Sequence, residues 1–483
     1  MKYVFIIFAL AVLIFIGVLI FNALKVKLKS RKLTDEIIHK SKEEQTEYAH
    51  KLGEMIRCKT VSEKDRYDDT EFKKLRETVE SLFPLVHEKC ERMIFSDDCW
   101  IYRLKGKDEN RNIMVMSHHD VVDAKGEWLH PGFCGEIFDD ALWGRGAVDT
   151  KTPLFAELQA CEELLSEGYD FEGVNVYIGS SDNEEVCGEG MVLATRYFKE
   201  NGIHFEAVLD EGGAITEGMI PGVKNKSAMV AVHEKSRHLY RVKTTATAKG
   251  HGGLNPSDDS AILRLTQFIN EVSTKKIYKG AFSSEVRGTF ETHAPYMTFP
   301  LNILFGNLTL FSPLIKKIML GIPQTKAMLS TSITFTNIFA GTKEDPQIKG
   351  KEAEATMFLR CVREDDLLKG LEKIRKIAEK YGVEIEEVER DYCQPSSFDS
   401  EPYKLLTEIM NEHFPDVIVA PFLLTAGTDA RRFTDVADSI LRFAPIDLDK
   451  KQFASIHSAN EHIKIKNIGE CVLFYKEFVK RFR

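Results

Sequence analysis

Three short, predominantly apolar runs constrain this chain more than anything else in it: NIMVM (Asn112 to Met116), VNVYIG (Val174 to Gly179) and FEAVL (Phe205 to Leu209). Each is too brief for a typical helix and suits a strand covered on both faces. A helix-like segment, TPLFAELQACEELLSEG, separates the first two. There Thr152 can act as N-cap, Pro153 suits the first helical position and Gly168 follows the end. Leu154, Leu158, Cys161 and Leu165 line one face of that helix. Strands alternating with helices predict an α/β fold with a mainly parallel central sheet flanked by helices.

Each of these runs ends in residues able to hold a metal. NIMVMS leads into His118, His119 and Asp120; VNVYIGSSDN into Glu184 and Glu185; FEAVL into Asp210. Ligands of open α/β sheets gather beyond the carboxyl ends of the strands, so these loops are expected to converge. Asp149, in LWGRGAVDTK, is a fourth acidic candidate, placed after two glycines and before a helix. Taken singly, each has a plain alternative: a solvated carboxylate, a helix cap or a hydrogen-bonded structural histidine. Adjacent glutamates do not share a face of a helix or a strand, so Glu184 and Glu185 are poorly placed to work as a simple carboxylate pair.

A second unit interrupts the first between residues 237 and 392. HLYRVKTTA, AILRLTQFINEV, SITFTNIFA, EATMFLRCV, LLKGLEKIRKIAEKYG and VEIEEVE read as strand, helix, strand, strand, helix, strand. That order is ferredoxin-like. At 483 residues the chain is too long for one simple core. The expected division is a discontinuous main domain, 51–236 with 393–483, around the insert at 237–392. The final segments of the main domain are a strand at SILRFAPI and a helix from about Ile468 to Phe482. Inside the insert lies an unusually apolar segment, MTFPLNILFGNLTLFSPLIKKIML, suited to extra core, a subunit contact, a greasy substrate or a membrane.

The amino terminus has a different character. Tyr3 to Phe21 is an uncharged stretch of bilayer-spanning length, followed by Lys25, Lys27, Lys29, Arg31 and Lys32. A cleaved signal peptide would have a shorter apolar region and a small-residue cleavage site. Residues 1–24 are therefore expected to be a retained single-pass anchor, with 25–50 a juxtamembrane linker or helix. The basic flank places the body in the cytoplasm by the positive-inside rule. The net charge of −9 disfavours nucleic acid as a partner. Nine scattered cysteines without a CxxC read as reduced thiols, Cys134 and Cys187 among them as packing residues. NxS/T sequons at Asn225 and Asn307 bear on the protein only if its body is extracytoplasmic.

SHHDVV, EWLHPGFCGEI, LWGRGAVDTK, NEEVCG, LDEGG, KGHGG and SIHSANE occur in that order. Together they resemble the dizinc aminoacylase and carboxypeptidase family, from about residue 50 to the C-terminus. The apolar insert most resembles the branch containing carboxypeptidase S and the N-fatty-acyl-amino-acid synthase/hydrolase. The resemblance implies a zinc-exopeptidase-like catalytic domain interrupted by a lid that also serves dimerisation. It implies two Zn²⁺ per chain, with Co²⁺ or Mn²⁺ as alternatives. His118 and Asp210 would bind one ion, Glu185 and His457 the other, and Asp149 would bridge them. Asp120 would orient His118. Glu184 would be the general base for a metal-bridging water. His251, in KGHGG, would stabilise the tetrahedral intermediate, often from a partner subunit, and Arg431 could pair with a substrate carboxylate. No GxSxG elbow competes with this arrangement.

The expected activity is hydrolysis of an N-acyl amino acid or small peptide. A peptide-specific carboxypeptidase and a catalytically inactive binding protein on the same fold are the alternatives. Three departures from the family pattern bear on that choice: Asn183 before the glutamate pair, VVDA after the histidine motif, and AGTKEDPQI on the insert.

Overall fold

A computed structural model describes residues 1–64, 68–171, 173–246, 260–341 and 351–482. The three apolar runs form the strands Asn112–His118, Asn175–Ser181 and Ala207–Asp210. They lie side by side and parallel, with His118 opposite Ser181 and Val115 opposite Leu209, so all three release their loops at the same edge. They are the centre of a ten-stranded sheet. That sheet is mixed, because antiparallel strands such as Cys99–Leu104 and Ile215–Glu217 flank its parallel core.

The unbroken apolar runs have a direct structural cause. Ile113, Val115, Val176 and Ile178 face one core, while Met114, Met116 and Tyr177 face another on the opposite side of the sheet. Successive residues of a strand point to opposite faces, so a sheet covered twice requires apolar side chains at both parities. The first core is capped by the helices Lys151–Ser166, Lys42–Ile56 and Ile465–Arg481. Lys151–Ser166 begins before the expected Thr152 cap; Thr150 is the N-cap and its hydroxyl accepts no N–H of the first turn, while the Thr152 hydroxyl donates to the Ala147 carbonyl. Part of the expected linker is core: Gln45, Tyr48 and Ala49 of Lys42–Ile56 are buried, and Ser41 with Glu44 closes a capping box at its start.

A separate antiparallel sheet has the strand order Ser332–Ala340, Glu352–Cys361, Ser236–Thr245, Glu384–Asp391. Helices Ala261–Thr274 and Glu364–Tyr381 pack on one face of it around Leu265, Phe268, Leu371 and Ile374. This is the ferredoxin-like order expected of the insert. The apolar segment forms the short helices Leu301–Gly306 and Leu308–Met319. Lys2–Lys29 is a single helix, long and apolar enough to cross a bilayer. The Asn307 side chain is buried against it, donating to the Leu19 carbonyl, so this sequon offers no free amide to a glycan.

Candidate metal and catalytic site

His118 is the last residue of its strand, and the chain then turns so that Asp120 looks back at it. Asp120 Oδ1 lies 3.3 Å from His118 Nδ1. The same carboxylate accepts the backbone N–H groups of Glu184 and Glu185, both at 3.1 Å, and the Ser62 hydroxyl at 2.6 Å. One buried aspartate therefore orients the imidazole and pins the turn that carries both glutamates. Adjacency is useful here because one backbone segment delivers two carboxylates to different places.

Asp149 divides its oxygens between two imidazoles. Oδ1 is 3.2 Å from His118 Nε2 and Oδ2 is 3.1 Å from His457 Nε2. His457 Nε2 also lies 3.0 Å from Glu185 Oε2. The Asp149 loop is held from below by buried Glu461, which accepts N–H bonds from Gly146, Val148 and Asp149. Arg145 balances the charge of Glu461 at 2.5 Å. Gly146, at φ +88, allows the tight approach this cradle needs.

The electrostatics of the site call for a cation. Hydrogen bonds with Asp149 and Glu185 push the His457 imidazole up to about 10. Burial opposes charge on His118, yet hydrogen bonds with Asp120 and Asp149 lift its pKa well above the ordinary value. The buried Glu185 Oε1 has no hydrogen-bond partner, which leaves a donor atom available to a cation. His118, Asp149 and Glu185 form a metal-binding triad whose ligand atoms all lie within 4.8 Å of one another. Imidazole nitrogen with carboxylate oxygen is a donor set that suits zinc.

These groups line a cavity of about 310 Å³ together with Glu184 and Glu211. Burial raises the Glu184 carboxyl well above its usual range, although nearby His118 pulls it down. Leu424, Ile446, Leu448, Phe453 and Ile456 supply the apolar part of the same lining.

Of the other expected site residues, Asp210 is turned away from the cavity. Its carboxylate accepts N–H bonds from Glu211 at 2.9 Å and Ala430 at 2.9 Å, and it is Glu211 that lines the cavity. The alternation of a strand is a signal for this: consecutive residues at a strand end leave in opposite directions. Arg431 is buried and does not line the cavity; its Nε donates to Asp391 Oδ2 at 2.5 Å and its fork to the Thr428 carbonyl. It links the main domain to the last strand of the insert. His251 lies outside the described residues. Glu461 was not singled out from SIHSANE; its position four residues after His457 was the available hint.

A buried ion pair supports the opposite rim. Arg442 Nε donates to Glu234 Oε2 at 2.7 Å, both side chains fully buried, and Glu234 also accepts from the Thr428 N–H and hydroxyl. Arg442→Met is expected to cost about 3–5 kcal/mol in urea unfolding, because buried Glu234 loses the cation it is hydrogen-bonded to, with Arg431 and Arg360 remaining as charges nearby. Adding Glu234→Leu should restore much of that loss; equal instability of the single and double variants would contradict this account.

The family model for "Peptidase family M20/M25/M40" matches residues 114–481. "Probable carboxypeptidase S-like 2" of Dictyostelium discoideum is 31% identical over 446 residues, covering 90% of this chain and 85% of the relative. "N-fatty-acyl-amino acid synthase/hydrolase PM20D1" of Homo sapiens is 28% identical over 450 residues, covering 91% and 88%. Among solved structures, an M20 family metallo-carboxypeptidase from Sulfolobus solfataricus superposes with a TM-score of 0.66 at 19% identity. That alignment covers 90% of this chain and 99% of the other, and it shows the shared fold.

Proposed function

The chain belongs to peptidase family M20/M25/M40, a family of metal-dependent hydrolases, and from that premise we propose a membrane-anchored, two-metal hydrolase of N-acyl amino acids. The observation that carries the two-metal reading is Asp149, whose oxygens each face a different imidazole. His118 and Glu211 would hold one ion, His457 and Glu185 the other, with Asp149 between them. Glu211 replaces Asp210 in this set because it alone of the two lines the cavity. Bound there, the ions would supply Lewis acidity to polarise the scissile carbonyl and acidify a water.

The chain's own residues do the rest. Asp120 holds the His118 ring and, through the backbone of Glu184, the position of the base. Glu184 takes the proton from the attacking water and returns it to the leaving amine; its raised proton affinity suits both halves of that task. The apolar lining from Leu424 to Ile456 favours a substrate with a large apolar group beside the scissile bond. The human relative named an N-fatty-acyl-amino acid synthase/hydrolase supports a fatty acyl group as that moiety. His251 keeps its proposed role at the oxyanion. The open edge strand Ser332–Ala340, with Ile338 and Phe339 exposed, supports a homodimer through the insert. The N-terminal helix is the proposed anchor, with the body on the cytoplasmic side.

A hydrolysis screen on zinc-loaded protein tests this reading. N-oleoyl amino acids are expected to be cleaved faster than short peptides. Turnover of peptides alone would favour a peptide-specific carboxypeptidase, and no turnover of either would leave a binding protein. The ligand assignment has its own test: Glu211→Ala should lose about half the bound zinc and nearly all activity, as expected of one site in a two-ion centre. Asp210→Asn should keep its zinc; the reverse pattern would restore Asp210 as the ligand.

A further inference from the structure

We propose that the outer face of the helix Leu308–Met319 lies in the same bilayer as the N-terminal helix, so that the protein is seated on its membrane at two points. This rests on the anchoring reading above. Leu308, Ile315 and Met319 turn inward and are buried. On the other side Leu310, Leu314 and Ile318 are 53%, 50% and 53% exposed. Spaced four apart, these three form one stripe along the helix. The apolar arc thus continues from the buried side onto the exposed one while Thr309, Lys316 and Lys317 mark a polar side, the pattern of a helix lying in a membrane interface. Phe299, 81% exposed, and Ile322, 45% exposed, extend the apolar surface beyond either end of the helix.

The contact with the N-terminal helix sets the depth. Asn22 Nδ2 donates to Asn307 Oδ1 at 2.8 Å, and Asn307 Nδ2 donates to the Leu19 carbonyl at 3.0 Å. Gly306 abuts Ala23 so closely that a Cβ there would lie 3.1 Å from the Ala23 Cα. Asn22 is the first polar residue after the uncharged stretch, and Lys25, Lys27 and Lys29 follow it. The contact therefore falls where the span leaves the hydrocarbon, and the helix that starts at Leu308 starts at that boundary. An interfacial helix buries its apolar face about 5–10 Å into the headgroup and acyl region.

Charge and shape fit the same occupant. Lys316 and Lys317 stand in the last turn of this helix, and Lys27 and Lys29 in the last turn of the N-terminal one. Lysines at this level favour anionic headgroups, with their stems along the apolar surface. Between the two helices runs a groove of about 730 Å³, whose apolar part is lined by Phe15, Val18, Leu19, Phe305, Leu308 and Leu310 and whose polar part by Asn22, Glu291, Asn307 and Thr309. An apolar side next to a polar one suits the boundary between acyl chains and headgroups.

The test uses the full chain reconstituted in phosphatidylcholine and phosphatidylserine vesicles, with acyl-brominated phosphatidylcholine as quencher. Leu314→Trp reports the proposed face; Leu368→Trp, at a half-exposed position on the helix Glu364–Tyr381, is the control. The native tryptophans supply the background for both. Leu314→Trp is expected to lose about half or more of its added emission, as a side chain at acyl depth would, and Leu368→Trp to keep it. Leu310→Trp, one turn away, should repeat the result. Equal quenching of the two reporters, in vesicles that retain the protein through a carbonate wash, would overturn the seating and leave the anchor standing. Release of the protein by carbonate would overturn both. Lipid-independent shielding of Leu314→Trp that grows with protein concentration would assign the face to a second copy and overturn the proposal.

Discussion

Glu184→Gln is expected to lower kcat by about 10²–10⁴-fold while leaving the zinc content per chain unchanged. The substitution keeps the shape of the side chain and removes its ability to take a proton. Nothing in the pinning of the turn is lost, because Asp120 holds the backbone N–H of residue 184 and not its side chain. KM should move little, since the interaction removed belongs to the transition state. The neighbouring Glu185→Gln provides the contrast. Glu185 lies against His457 and within the metal triad, so its replacement should lower bound zinc as well as rate. Zinc per chain by elemental analysis, measured beside steady-state kinetics, separates the two. A Glu184→Gln protein that retains normal kcat would remove Glu184 from the chemistry, and one that loses zinc would make it a ligand.

Asp149→Ala is expected to bring activity to background, with added zinc failing to restore it. Among the described residues this carboxylate alone faces both imidazoles, so in the proposed two-ion centre its loss would remove a ligand from each ion. The wild-type protein stripped by a chelator should also fall to background, but should recover on addition of zinc, cobalt or manganese. Fold should survive in both cases: the Asp149 loop is held through backbone N–H groups by Glu461, whose charge is balanced by Arg145. Circular dichroism before and after stripping checks that point. Activity that resists chelation while bound metal falls to zero would defeat the metal-dependent mechanism.

Much of the fold was legible because it rests on local pattern. Runs without alternation marked strands covered on both faces, and the cores on either side of the sheet account for them residue by residue. The ferredoxin-like order of the insert followed from its succession of strand and helix segments. Departures occurred where tertiary contacts overrule local preference. The helix expected at Thr152 starts earlier because the loop before it is tied to Glu461, and Lys42–Ile56 became core because it packs against Lys151–Ser166 and Ile465–Arg481.

At the site, the sequence by itself determined which chemical groups are available and that they leave the sheet at strand ends. Histidine and carboxylate motifs in family order were sufficient to point to a metal hydrolase. Direction was beyond its reach. Asp210 and Glu211 are adjacent in the chain, and while alternation sends them in opposite directions, it is in the fold that Asp210 accepts the Ala430 N–H and Glu211 lines the cavity. Arg431 carries the right fork for a carboxylate, but Asp391, forty residues away in the chain, already occupies it. The apolar insert suits several roles by composition, and that its Asn307 meets Asn22 of the N-terminal helix is a contact made only in the fold. Residue type and spacing are local properties of the chain, whereas which atom faces which neighbour depends on contacts between residues far apart in sequence, and those exist only once the chain has folded.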